Sequence, residues 1–180
     1  MRVLGIDPGK KQTGWCVVPR DLDLDVRQFY APSKDERRDE PWKEGYGLDR
    51  GEHTIWRCGL IVPEGSDAGE LEVWDPWMTS TAQKVAHLIA IERPEVIGIE
   101  WFEHQGYRGR RISNEAQMGL LVAKLTATIE ALRIPLQRVP PGQHKQGFDP
   151  MKKYFATPHE KDAFTTALWA AGSQRRARRR

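Results

Sequence analysis

Two nearly continuous apolar runs, VLGID and VIGIE, each end in a carboxylate, at Asp7 and at Glu100. Apolar runs without polar alternation are typical of strands that are buried on both faces of a sheet covered by helices. An acidic side chain at the end of such a strand destabilises the fold unless something compensates its charge. The repeated pattern therefore predicts an α/β protein in which one sheet edge gathers carboxylates around a ligand.

The other elements predict how that sheet is built. Residues 2–7 and 14–18 are rich in β-formers and enclose the turn PGKKQT, which predicts a hairpin. Two further strands, at 53–62 and 71–78, extend it into an antiparallel meander of three or four strands. Alternating helices and strands follow, at 79–94, 95–101, 114–134, 135–139 and 157–172. This order predicts a mixed α/β sheet with helices on its faces.

The start of the last helix carries the clearest local signal. In TPHE, Thr157 is the predicted N-cap, Pro158 the first helical residue and Glu160 the reciprocal partner in a capping box. The helix is expected to end near Gly172.

Charge is distributed unevenly along the chain. Residues 1–100 contain 13 Lys and Arg against 19 Asp and Glu, whereas residues 101–180 contain 15 against 6. Five of the arginines in the second half form the terminal RRARRR, which is either a polyanion-binding element or a solvated end. The segment 19–52 contains 17 charged residues among 34, which predicts an inserted loop.

Length and cysteine content limit the protein class. The 180 residues predict one domain over 1–172, followed by a disordered basic tail at 173–180. No stretch reaches the roughly 18 apolar residues of a membrane span, and no secretory pattern is present. Cys16 and Cys58 are expected to be reduced, half-buried side chains, which favours a cytoplasmic protein.

A helical pair adds to the two strand-end carboxylates. His159 and Asp162 are three residues apart and therefore share one face of the last helix, whose N-terminus favours negative charge. Each residue alone has an ordinary explanation, as a turn aspartate at Asp7 or a surface pair on the helix. Together with Glu100 they can supply oxygen and imidazole ligands for two Mg²⁺ or Mn²⁺ ions.

The segments LGIDPGKKQTGWCVV, VIGIEW, GQHKQ and HEKDAFTTALWAA together resemble the RuvC-type Holliday-junction resolvases of the ribonuclease-H-like superfamily. That family opens with a strand–Asp-Pro-Gly–Thr-Gly–strand hairpin and places a second acid after a hydrophobic strand. It ends in a helix bearing His/Asp-x-x-Asp-Ala. The matching positions are Asp7, Glu100, His159 and Asp162, and Lys145 matches a lysine that follows the family's fifth strand.

The resemblance implies a five-stranded mixed sheet whose first three strands are antiparallel, with helices on both faces. It implies a homodimer that resolves a four-way junction by paired, symmetric nicks leaving 5′-phosphates. Asp7, Glu100, His159 and Asp162 would be both catalytic residues and ligands of two Mg²⁺ or Mn²⁺ ions, and Lys145 would assist catalysis or hold the phosphate. No nucleotide cofactor and no membrane are expected, and the source would be a bacterial cell or a virus.

Candidate DNA contacts follow from charge and aromatic content. Basic side chains bind phosphates, and an aromatic side chain can wedge into a strained junction. The basic candidates are Lys10, Lys11, Arg108, Arg110 and Arg111. The resemblance implies a wedge residue here, either Phe102 or Tyr107, and a phosphate contact at Lys145. Trp101 is expected in the core. The helical face formed by Met118, Leu121, Leu125 and Ile129 is also expected in the core, although the resemblance implies that part of it forms the dimer interface.

Two departures and three other functions stay open. The 19–52 insert and the short stretch between Lys145 and His159 differ from the cellular enzymes of the family. The site also suits a nuclease for other branched DNA or for RNA–DNA hybrids. GIDPGKKQTG further resembles the phosphate-binding hairpin of actin-like ATPases, which need about twice this length. A non-catalytic junction-binding protein would gain nothing from anions clustered beside phosphate.

Overall fold

The computed structural model describes residues 2–9, 11–20, 22, 49–50, 53–54, 56–63, 74–101, 112–140 and 155–178. Within these ranges the strands are β1 (Arg2–Asp7), β2 (Thr13–Pro19), β3 (Asp49–Arg50), β4 (His53–Thr54), β5 (Arg57–Ile61), β6 (Val96–Glu100) and β7 (Leu136–Val139). The helices are α1 (Trp74–Glu92), α2 (Ile112–Ala131) and α3 (Pro158–Arg178).

Five strands form one mixed sheet in the order β5-β2-β1-β6-β7. The neighbours β1–β2 and β2–β5 are antiparallel, whereas β1–β6 and β6–β7 are parallel. The short strands β3 and β4 pair separately as a two-stranded hairpin. The predicted ribonuclease-H-like sheet, which is antiparallel in its first three strands, is therefore confirmed.

Two hydrophobic clusters, one on each face of the sheet, form the core. Helices α1 and α2 cover the face that carries Leu4 and Ile6 of β1. Helix α3 covers the opposite face, where Phe164 packs among Val3 and Val18. The helices on both faces are thus also confirmed, and alternate residues of each central strand contact different helices.

Helix α3 lies directly on the backbone of β1. A Cβ atom built on Gly5 would overlap the carbonyl oxygen of Ala163 and would lie 2.9 Å from the Cβ of Ala167. The missing side chain at this position therefore lets the helix reach the strand. The residue two positions along β1 on the same face is Asp7, so this packing brings the start of α3 to the Asp7 end of the strand.

The predicted strand at 71–78 is wrong over residues 74–78, which form the first turns of α1. Trp77 and Met78 are buried in the core cluster of α1 and α2, and the Thr81 hydroxyl donates to the Trp77 carbonyl at 3.0 Å. Pro76 is compatible with a helix here because the first turn has no intrahelical acceptor for its missing N–H.

The end of α3 also differs from the prediction. The helix continues to Arg178, whereas the sequence predicted an end near Gly172 and a disordered tail from residue 173. A glycine alone does not stop a helix when the residues that follow, here SQRRAR, have good helix propensity. The predicted loop at 19–52 lies almost entirely outside the described residues.

The two cysteines form a disulfide, so the predicted reduced state is wrong. Cys16 and Cys58 lie directly opposite each other in the β2–β5 pairing, with Cα atoms 4.0 Å apart and little exposure. The sequence placed them in neighbouring strands but did not give the register that brings the sulfurs together. The cysteines therefore no longer favour a cytoplasmic setting.

At the other end of the sheet, a buried glutamate joins three elements. Glu92, the last residue of α1, is 2% exposed and pairs with Arg2 of β1 at 3.1 Å and with Arg57 of β5 at 2.8 Å. Two guanidinium groups compensate the burial of one carboxylate.

No helix in the described part of the chain is long and apolar enough to cross a membrane.

Candidate active site

The parallel pairing of β1 and β6 brings the two strand-end carboxylates to one edge of the sheet. The register pairs Gly5 with Gly98 and Ile6 with Ile99, and the next residues are Asp7 and Glu100. Ile6 and Ile99 pack toward α1 and α2. Because side chains alternate along a strand, Asp7 and Glu100 project on the α3 side. The predicted carboxylate edge is therefore present.

Helix α3 places the His159 side chain in contact with Asp7. The Nδ1 atom of His159 lies 2.6 Å from Oδ2 of Asp7, across 152 residues of sequence. The Asp7 side chain is 8% exposed and that of His159 is 36% exposed. A buried carboxylate is thus in direct contact with an imidazole that solvent can reach.

The N-terminus of α3 is fixed by the predicted capping box. The Thr157 amide donates to Oε2 of Glu160 at 2.8 Å, and the Glu160 amide donates to Oγ1 of Thr157 at 3.2 Å. Glu160 is therefore the capping residue that the sequence predicted. Gly14 of β2 contacts the His159 carbonyl so closely that a Cβ atom there would overlap it. Both features fix the position of His159 relative to the sheet.

Asp162 lies one turn further along α3, with its side chain 13% exposed. Its Oδ1 atom is 3.2 Å from Nζ of Lys161, a residue that is itself 7% exposed. Sequence reasoning missed Lys161, although it stands beside Asp162 in HEKDA. Adjacent residues on a helix are not expected to pair, so the sequence carries no signal for this contact.

A divalent cation requires oxygen or imidazole donors in a site that favours positive charge. Carboxylate oxygens at Asp7 and Asp162 and the imidazole at His159 are ligand types that Mg²⁺ or Mn²⁺ accepts, and burial makes a positive partner favourable. Nitrogen groups of His159 and Lys161 already stand at these carboxylates. Among the described residues, no three His, Cys, Asp or Glu side chains are arranged as a metal group. The donor types fit a divalent cation, which would have His159 as a ligand and would compete with the Lys161 ammonium for Asp162.

Most predicted DNA contacts lie outside the described residues. These are Lys10, Phe102, Tyr107, Arg108, Arg110, Arg111 and Lys145. Lys11 is described and exposed, beyond the turn after Asp7. Trp101 is half-buried against the core, as predicted, and the Arg138 guanidinium lies 4.2 Å from the centroid of its ring.

No protein-family model and no curated protein matches the chain. Solved structures do match. The structure described as T. thermophilus RuvC in complex with Holliday junction substrate aligns with a TM-score of 0.62 at 16% identity, over 98% of this chain and 96% of that chain. The chain has the fold of RuvC. A second Thermus thermophilus RuvC structure aligns with a TM-score of 0.58 at 17% identity, over 98% of this chain and 97% of its own.

The RuvC fold confirms the resemblance inferred from the sequence. A sequence identity of 16–17% is too low to infer the activity from the shared fold. The function therefore has to be argued from the residues at the carboxylate edge. In the RuvC fold of this chain, that edge carries Asp7, Glu100 and the start of α3.

Proposed function

We propose that the protein is a metal-dependent endonuclease that resolves four-way DNA junctions by paired, symmetric nicks. The observation that carries the proposal is the 2.6 Å contact between Asp7 and His159. It joins the first strand to the last helix at the carboxylate edge of a RuvC fold. These two elements carry the first and the last of the sequence motifs that resemble the RuvC-type resolvases. One of the matching RuvC structures is described as a complex with Holliday junction substrate, which supports this choice of substrate class.

Asp7, Glu100, His159 and Asp162 would hold two Mg²⁺ or Mn²⁺ ions. When bound, such ions activate water and stabilise the leaving oxygen of a phosphodiester. The chain itself supplies orientation. The capping box fixes the start of α3, and β1 and β6 fix the two strand-end carboxylates. His159 holds Oδ2 of Asp7 and, being partly exposed, can also orient the attacking water.

Cleavage of a defined set of substrates tests the proposal. The purified protein is incubated with a four-way junction, a flap, a plain duplex and an RNA–DNA hybrid, each with Mg²⁺, Mn²⁺ or EDTA. We expect cleavage of the junction only, and only with a metal. Preferred cleavage of the flap or the hybrid would show that the protein is a nuclease of a different specificity. Cleavage in EDTA would show that the reaction does not need a metal. Junction binding without cleavage in any metal would leave a binding protein.

The proposed enzyme is a homodimer, and α2 offers the surface for it. Leu121, Leu125 and Ile129 are fully buried within the chain, so they belong to the core and not to an interface. On the outer side of the same helix, Leu120 is 61% exposed and Ala123 is exposed beside it. An exposed leucine among small side chains suits close contact with a second helix.

Leu120→Glu is expected to convert the dimer into a monomer, because two carboxylates would be buried across a symmetric interface. Size-exclusion chromatography with light scattering measures the mass. Ile91→Glu is the matched control, since Ile91 is 56% exposed on α1. A Leu120→Glu protein that stays dimeric would contradict this interface.

Removal of the terminal RRARRR is expected to lower junction affinity without changing the cleavage rate at saturating protein. Each phosphate contact contributes about 0.9 to the slope of log affinity against log salt. Loss of up to five arginines should therefore make that slope shallower by several units. Binding measured between low and moderate salt gives the slope. An unchanged slope would show that the tail does not contact DNA.

A further inference from the structure

Among the lysines that the structure describes, Lys161 is buried, whereas Lys11 is exposed and Lys84 and Lys124 are half-buried. An ammonium group with 7% exposure is costly unless a negative partner compensates it. The Asp162 carboxylate at 3.2 Å is that partner. The position of the lysine is therefore tied to the same carboxylate that the proposed function assigns to a cation.

The pairing runs against helix geometry. Adjacent residues on an α-helix point in directions about 100° apart and do not face each other. Nevertheless the Lys161 ammonium lies 3.2 Å from Oδ1 of Asp162, so the two neighbours form an ion pair, and both side chains are largely buried. A lysine that only covered the helix surface would extend toward water instead.

We propose that Lys161 is the internal counter-cation of the site. Its ammonium holds the Asp162 carboxylate in position and competes with a divalent cation for that carboxylate, so that Lys161 sets the affinity for the metal. The inference rests on the proposed metal-dependent function. Lys161 is a positioning residue, distinct from the predicted Lys145, and takes no part in bond breaking.

The competition fixes the direction of the effect. A positive charge close to a divalent cation lowers the affinity of the site, and burial strengthens this repulsion because solvent screens it less. Lys161→Met keeps the length of the side chain but removes the charge. We therefore expect Mn²⁺ to bind this variant at least about tenfold more tightly than the wild type.

Isothermal titration of Mn²⁺ into the full-length protein, without DNA, tests the inference. Lys161→Arg keeps the charge and should bind within about twofold of the wild type. Lys124→Met is the matched control, because Lys124 donates to Thr79 at 2.6 Å between α1 and α2, and its affinity should not change. Lys161→Gln provides a second neutral variant if the methionine variant does not fold.

Unchanged or weaker Mn²⁺ binding in the neutral variants, with normal binding in the wild type, would overturn the role of Lys161 and leave the proposed nuclease intact. Absence of Mn²⁺ binding in the wild type as well would overturn both. Tighter binding in both neutral variants, with unchanged binding in Lys161→Arg, supports the role of Lys161 as a counter-cation. If the lysine were merely structural, Mn²⁺ affinity would not depend on whether the replacing side chain is charged.

Discussion

Replacing Asp7 with asparagine is expected to abolish junction cleavage, with a rate loss of at least about a thousandfold, while junction binding persists. The amide keeps the size of the carboxylate and can still hydrogen-bond His159, which lies 2.6 Å from Oδ2. It removes the negative charge that a divalent cation needs. Single-turnover cleavage at saturating protein gives the rate, and gel-shift titration gives the affinity.

Glu160→Gln is the matched control for this variant. Glu160 is an acidic residue beside His159, but its carboxylate is used by the Thr157 amide in the capping box. Glutamine retains an acceptor oxygen for that bond, so cleavage should stay close to wild type at a small cost in stability. Retained cleavage in Asp7→Asn would remove Asp7 from the site, whatever the control shows.

Gly5→Ala is expected to destabilise the protein by about 3 kcal/mol or more and to impair cleavage as well. The new methyl group would overlap the Ala163 carbonyl and approach the Ala167 side chain. Backbone atoms cannot move aside as a flexible side chain can, so α3 would have to shift away from the sheet. His159 and Asp162 lie on that helix, and their position relative to Asp7 would change.

Thermal unfolding measures this effect, and a lowering of the melting temperature by about 6–12 °C is expected for a chain of this size. Gly172→Ala is the control on the same helix, since no atom lies within 4 Å of a Cβ built there. That variant should gain up to about 1 kcal/mol from better helix propensity. A Gly5→Ala protein as stable as the wild type would contradict the close packing of α3 on β1.

The candidate site was predictable because its signals are local. Asp7 and Glu100 end apolar runs, and the capping box of Thr157 and Glu160 sets the start of α3 within four residues of sequence. The parallel pairing of β1 and β6 in the structure then brings the two carboxylates to one edge. These local preferences agree with the tertiary structure, so the sequence predicts both the sheet and the carboxylate edge.

The errors concern properties that depend on partners distant in sequence. The Cys16–Cys58 disulfide depends on the register of two strands, and the two cysteines are 42 residues apart in sequence. The first turns of α1 have the composition of a strand, and burial of Trp77 and Met78 against α2 makes them helical. The ion pair of Lys161 with Asp162 has no periodic signal at all, because adjacent residues on a helix are not expected to pair.

Mapping of the cut positions shows whether the protein is a resolvase that acts on both sides of a junction. A four-way junction is labelled at the 5′ end of each strand in turn and cleaved with Mn²⁺ under single-turnover conditions. We expect nicks in two opposed strands at positions related by the symmetry of the junction, with ends that ligate without further treatment. Cuts in one strand only, or at unrelated positions in neighbouring strands, would contradict this expectation.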